Sequence, residues 1–141
     1  MSKEKENILS EVRALVRQTL KEFMTQRDLD KVEDYADDMF NPIGIDVEFT
    51  HHFVDRLNDP RNQKDIESEE LKDLFKKLYL KHGQRLPNFR KGTHAVVSDM
   101  NSNINIPIEL RWDANRKEFD MMNMTVMRKK NFYTKDLPLK V

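Results

Sequence analysis

Apolar side chains recur every three or four residues along the first half of the chain, a pattern that predicts amphipathic helices. The first helix is predicted over residues 7–26. A second helix, with Asp28 as its N-cap and a strongly acidic polar face, is predicted to end before the Asn41-Pro42 pair. The short apolar segment over residues 43–49 that follows is either a linker or an edge strand.

Two further helices are predicted in the middle of the chain. Thr50 is the expected N-cap of a short helix over residues 51–57, which a proline-containing turn then ends. A longer helix is predicted to start near Glu67-Ser68 and to stop at Gly83. Helices are therefore expected for most of the chain before residue 84.

The hydrophobic period changes from helical to alternating after Pro87. Ala95-Val96-Val97 is predicted to be a strand, and residues 104–112 alternate apolar and polar side chains strictly. Pro107 places this second strand at the edge of a sheet or at a bulge. Residues 119–127 form the expected return strand. N-terminal amphipathic helices followed by a small antiparallel sheet of at least three strands define the α+β class.

The length and composition of the chain fit one soluble domain. Its 141 residues are enough to bury a core. We expect a helical N-terminal extension over residues 1–42 and a core over residues 43–135. The absence of cysteine excludes disulfides and thiolate metal ligands. No apolar run approaches ~18 residues and no signal peptide opens the chain, so we expect a cytoplasmic protein that does not contact a membrane.

Charge is unevenly distributed, although the net charge is zero. Residues 1–84 contain 14 Lys or Arg and 19 Asp or Glu, whereas residues 85–141 contain 11 and 6. A basic C-terminal half can face an anion such as RNA, but ordinary fluctuation of charge along a sequence explains the same counts. The acidic second helix is likewise either a solvated face or a lid that covers the basic sheet.

The densest group of chemically versatile side chains lies over residues 47–62. His52 and Arg56 are four residues apart, so a helix places them on one face. Histidine transfers protons near neutral pH, and arginine stabilises the negative charge that develops on a phosphate. Such a pair can cleave RNA without a metal, because the ribose 2′-OH supplies the nucleophile. The alternative is a half-buried helix histidine beside a salt-bridged arginine.

A metal site is not predicted in this stretch. His51 and His52 are adjacent, and adjacent side chains on a helix diverge by ~100°. They are therefore unsuited to sharing one ion with Asp55. No other cofactor is predicted, because the chain has only three glycines and no phosphate-cradling glycine loop.

Part of this stretch resembles a known protein family. Thr50-x-His52-x-x-x-Arg56, followed by Arg61 and by Ile66 at the start of a new helix, resembles the helix motif of RelE-related proteins. These proteins include the early endoribonuclease of T-even-type phages.

The resemblance implies a RelE-like fold and a metal-independent endoribonuclease of phage origin that acts on RNA phosphodiesters. It also implies that His52 and Arg56 are the catalytic pair. The resemblance covers about residues 49–75. Asn58-Asp59-Pro60 departs from the family pattern by lengthening the link between the two arginines.

A second, longer resemblance implies an origin but no activity. It is carried by the sequence from Thr50 to Asn62, by Ile104-Asn105-Ile106-Pro107 and by the sequence from Thr125 to Phe132. These segments are similar to uncharacterised proteins of tailed phages, over about residues 45–135.

Further basic and aromatic side chains are candidates for contact with the RNA backbone and bases. They are Arg61, Arg90, Lys91, Arg128, Lys129, Lys130 and Tyr133. The alternative for those near the C-terminus is a solvated strand end beside a packed aromatic residue.

Two functions of different class follow from the sequence. The first is an endoribonuclease whose partner is RNA. The second is a non-enzymatic phage protein, either a virion component or a module that binds a host or phage protein through the N-terminal helices. The first requires His52, Arg56 and the basic strand end to line one open cleft. The second is favoured if Arg56 lies in a buried salt bridge with an N-terminal acid such as Asp38.

Overall fold

The computed structural model describes residues 24–141, so the helix predicted over residues 7–26 lies almost wholly outside the described range. Within that range the chain forms three α-helices and six β-strands. The helices are α1 (Gln26–Phe40), α2 (Phe53–Leu57) and α3 (Ser68–His82). The strands are β1 (Ile45–Phe49), β2 (Thr93–Ser98), β3 (Ile104–Asp113), β4 (Glu118–Asn123), β5 (Met127–Arg128) and β6 (Leu137–Lys140). None of these helices is long and apolar enough to cross a membrane.

One mixed sheet contains all six strands in the order β1-β4-β3-β2-β6, and β5 extends the β4 side of β3. β3 pairs antiparallel with β2 and with β4, as the sequence predicts. β1, however, runs parallel to β4, and β6 runs parallel to β2. The α+β class is confirmed, while the prediction of a purely antiparallel sheet is wrong. Side-chain alternation locates a strand and its faces but does not give the direction of its neighbour.

The hydrophobic core lies between the helices and one face of the sheet. α1 contributes four fully or almost fully buried residues, which are Leu29, Val32, Ala36 and Phe40. They pack towards α3 and β1. The described part of the predicted N-terminal extension therefore belongs to the same core as the sheet.

The N-terminus of α1 differs by one turn from the prediction. Thr25, not Asp28, is the N-cap, and the Thr25 hydroxyl accepts a hydrogen bond from the backbone N–H of Asp28. The Asp28 carboxylate in turn accepts from the Thr25 N–H at 3.0 Å. Asp28 is thus the N3 residue of a capping box, in which the N-cap and N3 side chains each accept a hydrogen bond from the other residue's backbone N–H. The end of the helix at Phe40, before Asn41-Pro42, is confirmed.

The segment after Asn41-Pro42 is an edge strand rather than a linker. β1 has one neighbour, β4, and lies at the end of the strand order. The backbone N–H of Val47 donates to the Asp37 carboxylate of α1 at 2.7 Å. This bond satisfies one donor on the free edge of the sheet, where unpaired backbone groups otherwise invite aggregation.

Thr50 does not cap the helix that carries His52 and Arg56. Its N–H donates to the Asn123 carbonyl at 3.1 Å, and its hydroxyl donates to the Met124 carbonyl at 2.8 Å. Thr50 therefore continues the pairing of β1 with β4, and α2 begins only at Phe53, without a side-chain cap. The local sequence favours a cap at Thr50, but its hydroxyl instead donates to the carbonyl of Met124, 74 residues away in the chain.

Pro107 lies in the central strand, next to a bulge. The Pro107 carbonyl accepts a hydrogen bond from the Met124 N–H at 2.9 Å. Because the nitrogen and the carbonyl of one residue point to the same side of an antiparallel strand, the proline nitrogen, which has no hydrogen to donate, also faces Met124. On that side residues 124–126 interrupt the pairing between β4 and β5, with Asn123 opposite Ile108 and Met127 opposite Asn105. The predicted strand over residues 119–127 is thus divided in two by an extra residue, as expected beside a proline.

Candidate functional site

An open cleft of about 1060 Å³ lies between the start of α2 and the bulged end of the sheet. One wall carries His52, Arg56 and Arg61, and the other carries Lys129 and Lys130. Five of its fourteen lining residues are Arg or Lys, and one is acidic. The cleft is therefore basic, which suits a phosphate-bearing ligand.

His52 and Arg56 are held on one side of the cleft by the first turn of α2. The Arg56 N–H donates to the His52 carbonyl at 3.0 Å, so the two residues stand one helical turn apart. Both side chains are exposed, with 49% of the Arg56 side chain accessible. A buried salt bridge between Arg56 and Asp38 does not occur. The nearest carboxylate to Arg56 within residues 24–141 is Asp59, at 3.7 Å.

Asp59 is the one acidic group of the cleft. Its carboxylate accepts hydrogen bonds from the Arg61 guanidinium, the shortest at 2.7 Å, and from the Arg61 backbone N–H at 2.9 Å. These bonds lower the pKa of Asp59 to about 2. Asp59 therefore stays ionised at neutral pH, orients Arg61 and offsets part of its charge, while 79% of the Arg61 side chain remains exposed.

Arg128 lines the cleft but is bound into the protein by its whole guanidinium. Two of its nitrogens donate to the Glu70 carboxylate at 2.8 and 3.1 Å. Its remaining three N–H groups donate to backbone carbonyls, those of Lys64, Asp65 and Ser102. All five donors are thus used, and 11% of the side chain is accessible. This geometry argues for a structural role of Arg128 instead of the RNA contact suggested by the sequence.

Lys129 and Lys130 follow Arg128 directly and differ from it in their surroundings. Both are exposed, and neither forms an ion pair within the part of the chain that the structure describes. The backbone N–H of Lys129 donates to the Asn103 carbonyl at 2.8 Å, which fixes the chain while leaving the ammonium group to solvent. These two lysines are the cations of this wall that can bind a phosphate.

Three of the predicted RNA contacts do not line the cleft. Arg90 and Lys91 lie before β2, and the Lys91 ammonium stands 4.6 Å from the centre of the Trp112 ring. Tyr133 is 81% exposed and is not among the residues that line the cleft. Their contact with RNA stays a prediction.

Asn62 is a site residue that the sequence did not reveal. Its side chain is buried, and its amide nitrogen donates to the Arg56 carbonyl at 2.8 Å. Its amide oxygen accepts from the Arg128 N–H at 3.0 Å. Asn62 thereby joins the end of α2 to the strand that leads to Lys129. A turn asparagine gives no signal of this role, because Arg128 is 66 residues away in the chain.

A separate group of carboxylates lies at the β1–β4 edge of the sheet. Asp46, Glu118 and Asp120 bring ligand atoms within 4.8 Å of one another, and no other such group of metal-ligating type occurs within residues 24–141. Burial, followed by repulsion from Asp46, raises the pKa of Asp120. None of the three lines the cleft, so they are not part of the candidate site.

The acidic helix α1 adds to this carboxylate group instead of covering the basic cleft. Burial, followed by repulsion from Asp37, raises the pKa of Glu33 to about 7. Burial and the nearby Asp46 also raise the pKa of Asp37 to about 6, against the hydrogen bond from Val47. No residue of α1 lines the cleft. The helix α1 therefore does not cover this cleft.

The raised pKa of Glu33 predicts a loss of stability with increasing pH. Because the folded value lies above the ordinary value of 4.5, the folded protein retains a proton that the unfolded chain releases between about pH 4.5 and pH 7. The free energy of unfolding therefore falls across this window. Glu33→Gln should raise Tm at pH 8 by roughly 2–4 °C and leave Tm at pH 4 unchanged. Asp34→Asn, on the exposed side of the same helix, is the control, and equal shifts for both variants at both pH values would contradict the prediction.

Comparison of the chain with protein-family models, with curated proteins and with solved structures found no match.

Proposed function

We propose that the protein is a metal-independent endoribonuclease of phage origin, with a RelE-like core, that cleaves RNA phosphodiesters in the basic cleft. The observation that carries this proposal is the meeting of His52 and Arg56 with Lys129 and Lys130 around one open cleft. A volume of about 1060 Å³ lies at the upper end of the ~300–1,000 Å³ that is usual for ligand pockets, so the cleft is large enough to hold part of an RNA chain.

The charges of the cleft suit binding of the RNA backbone. Arg128 is neutralised by Glu70, and Arg61 is partly neutralised by Asp59. Arg56, Lys129 and Lys130 are left as the cations with exposed heads. Each such cation adds a phosphate contact that is independent of sequence and weakens as salt rises.

His52 is proposed to take the proton from the ribose 2′-OH. The 2′-oxygen then forms a bond to phosphorus, and the bond between phosphorus and the 5′-oxygen breaks. Water in the open cleft supplies the proton for the departing 5′-oxygen, and the hydroxide that remains takes the proton from His52, which restores both groups. The products are a 2′,3′-cyclic phosphate and a 5′-hydroxyl, so the step consumes no other reactant. Imidazole suits this role because it exchanges protons near neutral pH.

Arg56 is proposed to stabilise the charge that develops on the phosphate oxygens. The 3.7 Å to Asp59 is longer than a hydrogen bond, and the guanidinium donates no hydrogen bond to another described residue. Its N–H groups are therefore available to the phosphate. Hydrogen-bond donors aimed at the oxygens on which charge develops stabilise the transition state in enzymes of many classes.

The direct test compares RNA with DNA of the same sequence. The purified protein in EDTA should cut single-stranded RNA and leave the matching deoxyoligonucleotide intact, because the deoxy chain lacks the nucleophile. His52→Ala protein, purified in the same way, controls for contaminating ribonuclease. If wild-type protein leaves RNAs of varied sequence intact, the enzyme proposal is wrong and the non-enzymatic phage protein is the better account.

A further inference from the structure

The cleft contains uncharged polar side chains that phosphate binding does not explain. Gln63 and Asn103 both line it, and neither side chain forms a hydrogen bond to any residue in the described range. Met124 and Met127 line the cleft beside them. Resting on the proposed function, we infer that these four residues form a subsite for a nucleobase, which makes the enzyme select the base next to the bond it cleaves.

Gln63 is presented to the cleft by a tight turn of the backbone. Its φ of 64° and ψ of −39° lie in a region that non-glycine residues rarely adopt. The Lys64 N–H donates to the Asn62 carbonyl at 2.6 Å, which closes a γ-turn around Gln63. Such a conformation is unfavourable for a non-glycine residue and persists where the surroundings impose it. Here Asn62, buried and hydrogen-bonded to both cleft walls, imposes it.

Asn103 is held in place by hydrogen bonds of its backbone, while its side chain remains available to a ligand. It has a φ of 61°, a conformation that asparagine tolerates better than most residues. Its N–H donates to the Asp99 carbonyl at 2.9 Å, and its carbonyl accepts from the Lys129 N–H at 2.8 Å. Asn103 is half-buried, and its side-chain amide forms no hydrogen bond to another residue among residues 24–141. Its position is thus set by the same segment that sets Lys129.

An amide side chain matches the edge of a nucleobase better than it matches a phosphate. It carries a donor and an acceptor side by side, as base edges do, and it brings no charge to a phosphate. Bases of single-stranded RNA are splayed out and read in this way by proteins. The thioethers of Met124 and Met127 are unbranched and polarisable, so they adapt to the flat face of a base.

The inference is tested with ligands that the enzyme cannot cleave. Fluorescent homopolymers of deoxyadenosine, deoxycytidine and thymidine, and an abasic deoxyoligonucleotide of the same length, are titrated with the protein and followed by anisotropy. A well-placed amide contact discriminates among bases by at least about fivefold. We expect at least this ratio between the strongest and weakest homopolymers. Gln63→Ala with Asn103→Gly should reduce the ratio to below about twofold and leave the Kd for the abasic chain unchanged.

Lys130→Ala is the matched control. It should weaken binding of all four ligands by a similar factor, because it removes a phosphate contact, and preserve the ratio between homopolymers. Glycine at position 103 keeps the left-handed backbone, and thermal unfolding verifies that each variant is folded. Equal binding of the three homopolymers by wild-type protein would overturn the subsite. Loss of abasic binding by the amide variant would also overturn it. Base-selective binding without RNA cleavage would uphold the subsite and reject the endoribonuclease.

Discussion

Replacing His52 with alanine should slow RNA cleavage by about 10²- to 10⁴-fold, the usual contribution of a positioned general acid or base. His52 is the one histidine among the residues that line the cleft, and the other ionisable side chains lining it are Arg, Lys and Asp59. Single-turnover rates measured with saturating protein report the chemical step and separate this loss from a change in RNA affinity.

His51→Ala provides a closely matched control for this experiment. His51 precedes His52 in the chain and is also exposed, but it does not line the cleft. Its replacement should change the single-turnover rate by less than about threefold, well below the range of general acid–base effects. Equal losses in both variants would assign the defect to the start of α2 as a whole. Full activity of His52→Ala would remove the histidine from the mechanism.

Replacing Arg128 with alanine should lower the free energy of unfolding by about 3 kcal/mol, a magnitude typical of breaking a largely buried ion pair. The change removes both bonds to Glu70 and leaves three backbone carbonyls without their donor. These carbonyls belong to the turn before α3 and to the β2–β3 connection, so the defect extends to both elements. Urea unfolding followed by circular dichroism gives the difference.

The loss of stability caused by Arg128→Ala should become smaller as pH falls. Burial opposes ionisation of Glu70, yet the hydrogen bonds from Arg128 keep its pKa below the ordinary value. The stabilisation is therefore present above that ordinary value and is lost as pH falls through the lower folded-state pKa. The gap between wild type and Arg128→Ala should narrow in acid.

Arg116→Ala is the control for Arg128→Ala. Arg116 is an exposed arginine whose one ion pair within residues 24–141 is with Glu118 at 3.7 Å. Its loss should change the free energy of unfolding by less than about 0.5 kcal/mol. A cost for Arg128→Ala as small as that of the control would contradict a structural role for Arg128. The phosphate contact inferred from the sequence would then regain support.

Elements with a long, regular hydrophobic pattern were predicted well from the sequence. α3 starts at Ser68 and ends at the Gly83 cap, and β3 covers the predicted alternation over residues 104–112. In both elements many residues contribute to one hydrophobic pattern. The helix N-caps are harder to predict, because each depends on the hydrogen bond of a single hydroxyl or carboxylate. Asp28 and Thr50 both carry the right group and use it elsewhere.

The cleft could be predicted only in part, because its walls are joined by contacts between distant residues. His52 and Arg56 are neighbours on one helical turn, which spacing alone predicts. Arg128 and Lys130 carry the same charge and lie two positions apart. Glu70, which precedes Arg128 by 58 residues, binds Arg128 and does not bind Lys130. Nothing in the local sequence separates the structural arginine from the exposed lysine.

The most direct test of the central claim is the chemistry of the fragment ends that wild-type protein produces from RNA in EDTA. Cleavage by the 2′-OH, with His52 and Arg56 in the roles proposed, predicts fragments that end in a 2′,3′-cyclic phosphate and begin with a 5′-hydroxyl. Mass spectrometry of a short RNA substrate distinguishes these ends from hydrolytic products. Fragments with 3′-hydroxyl ends, or cleavage that EDTA abolishes, would contradict the account.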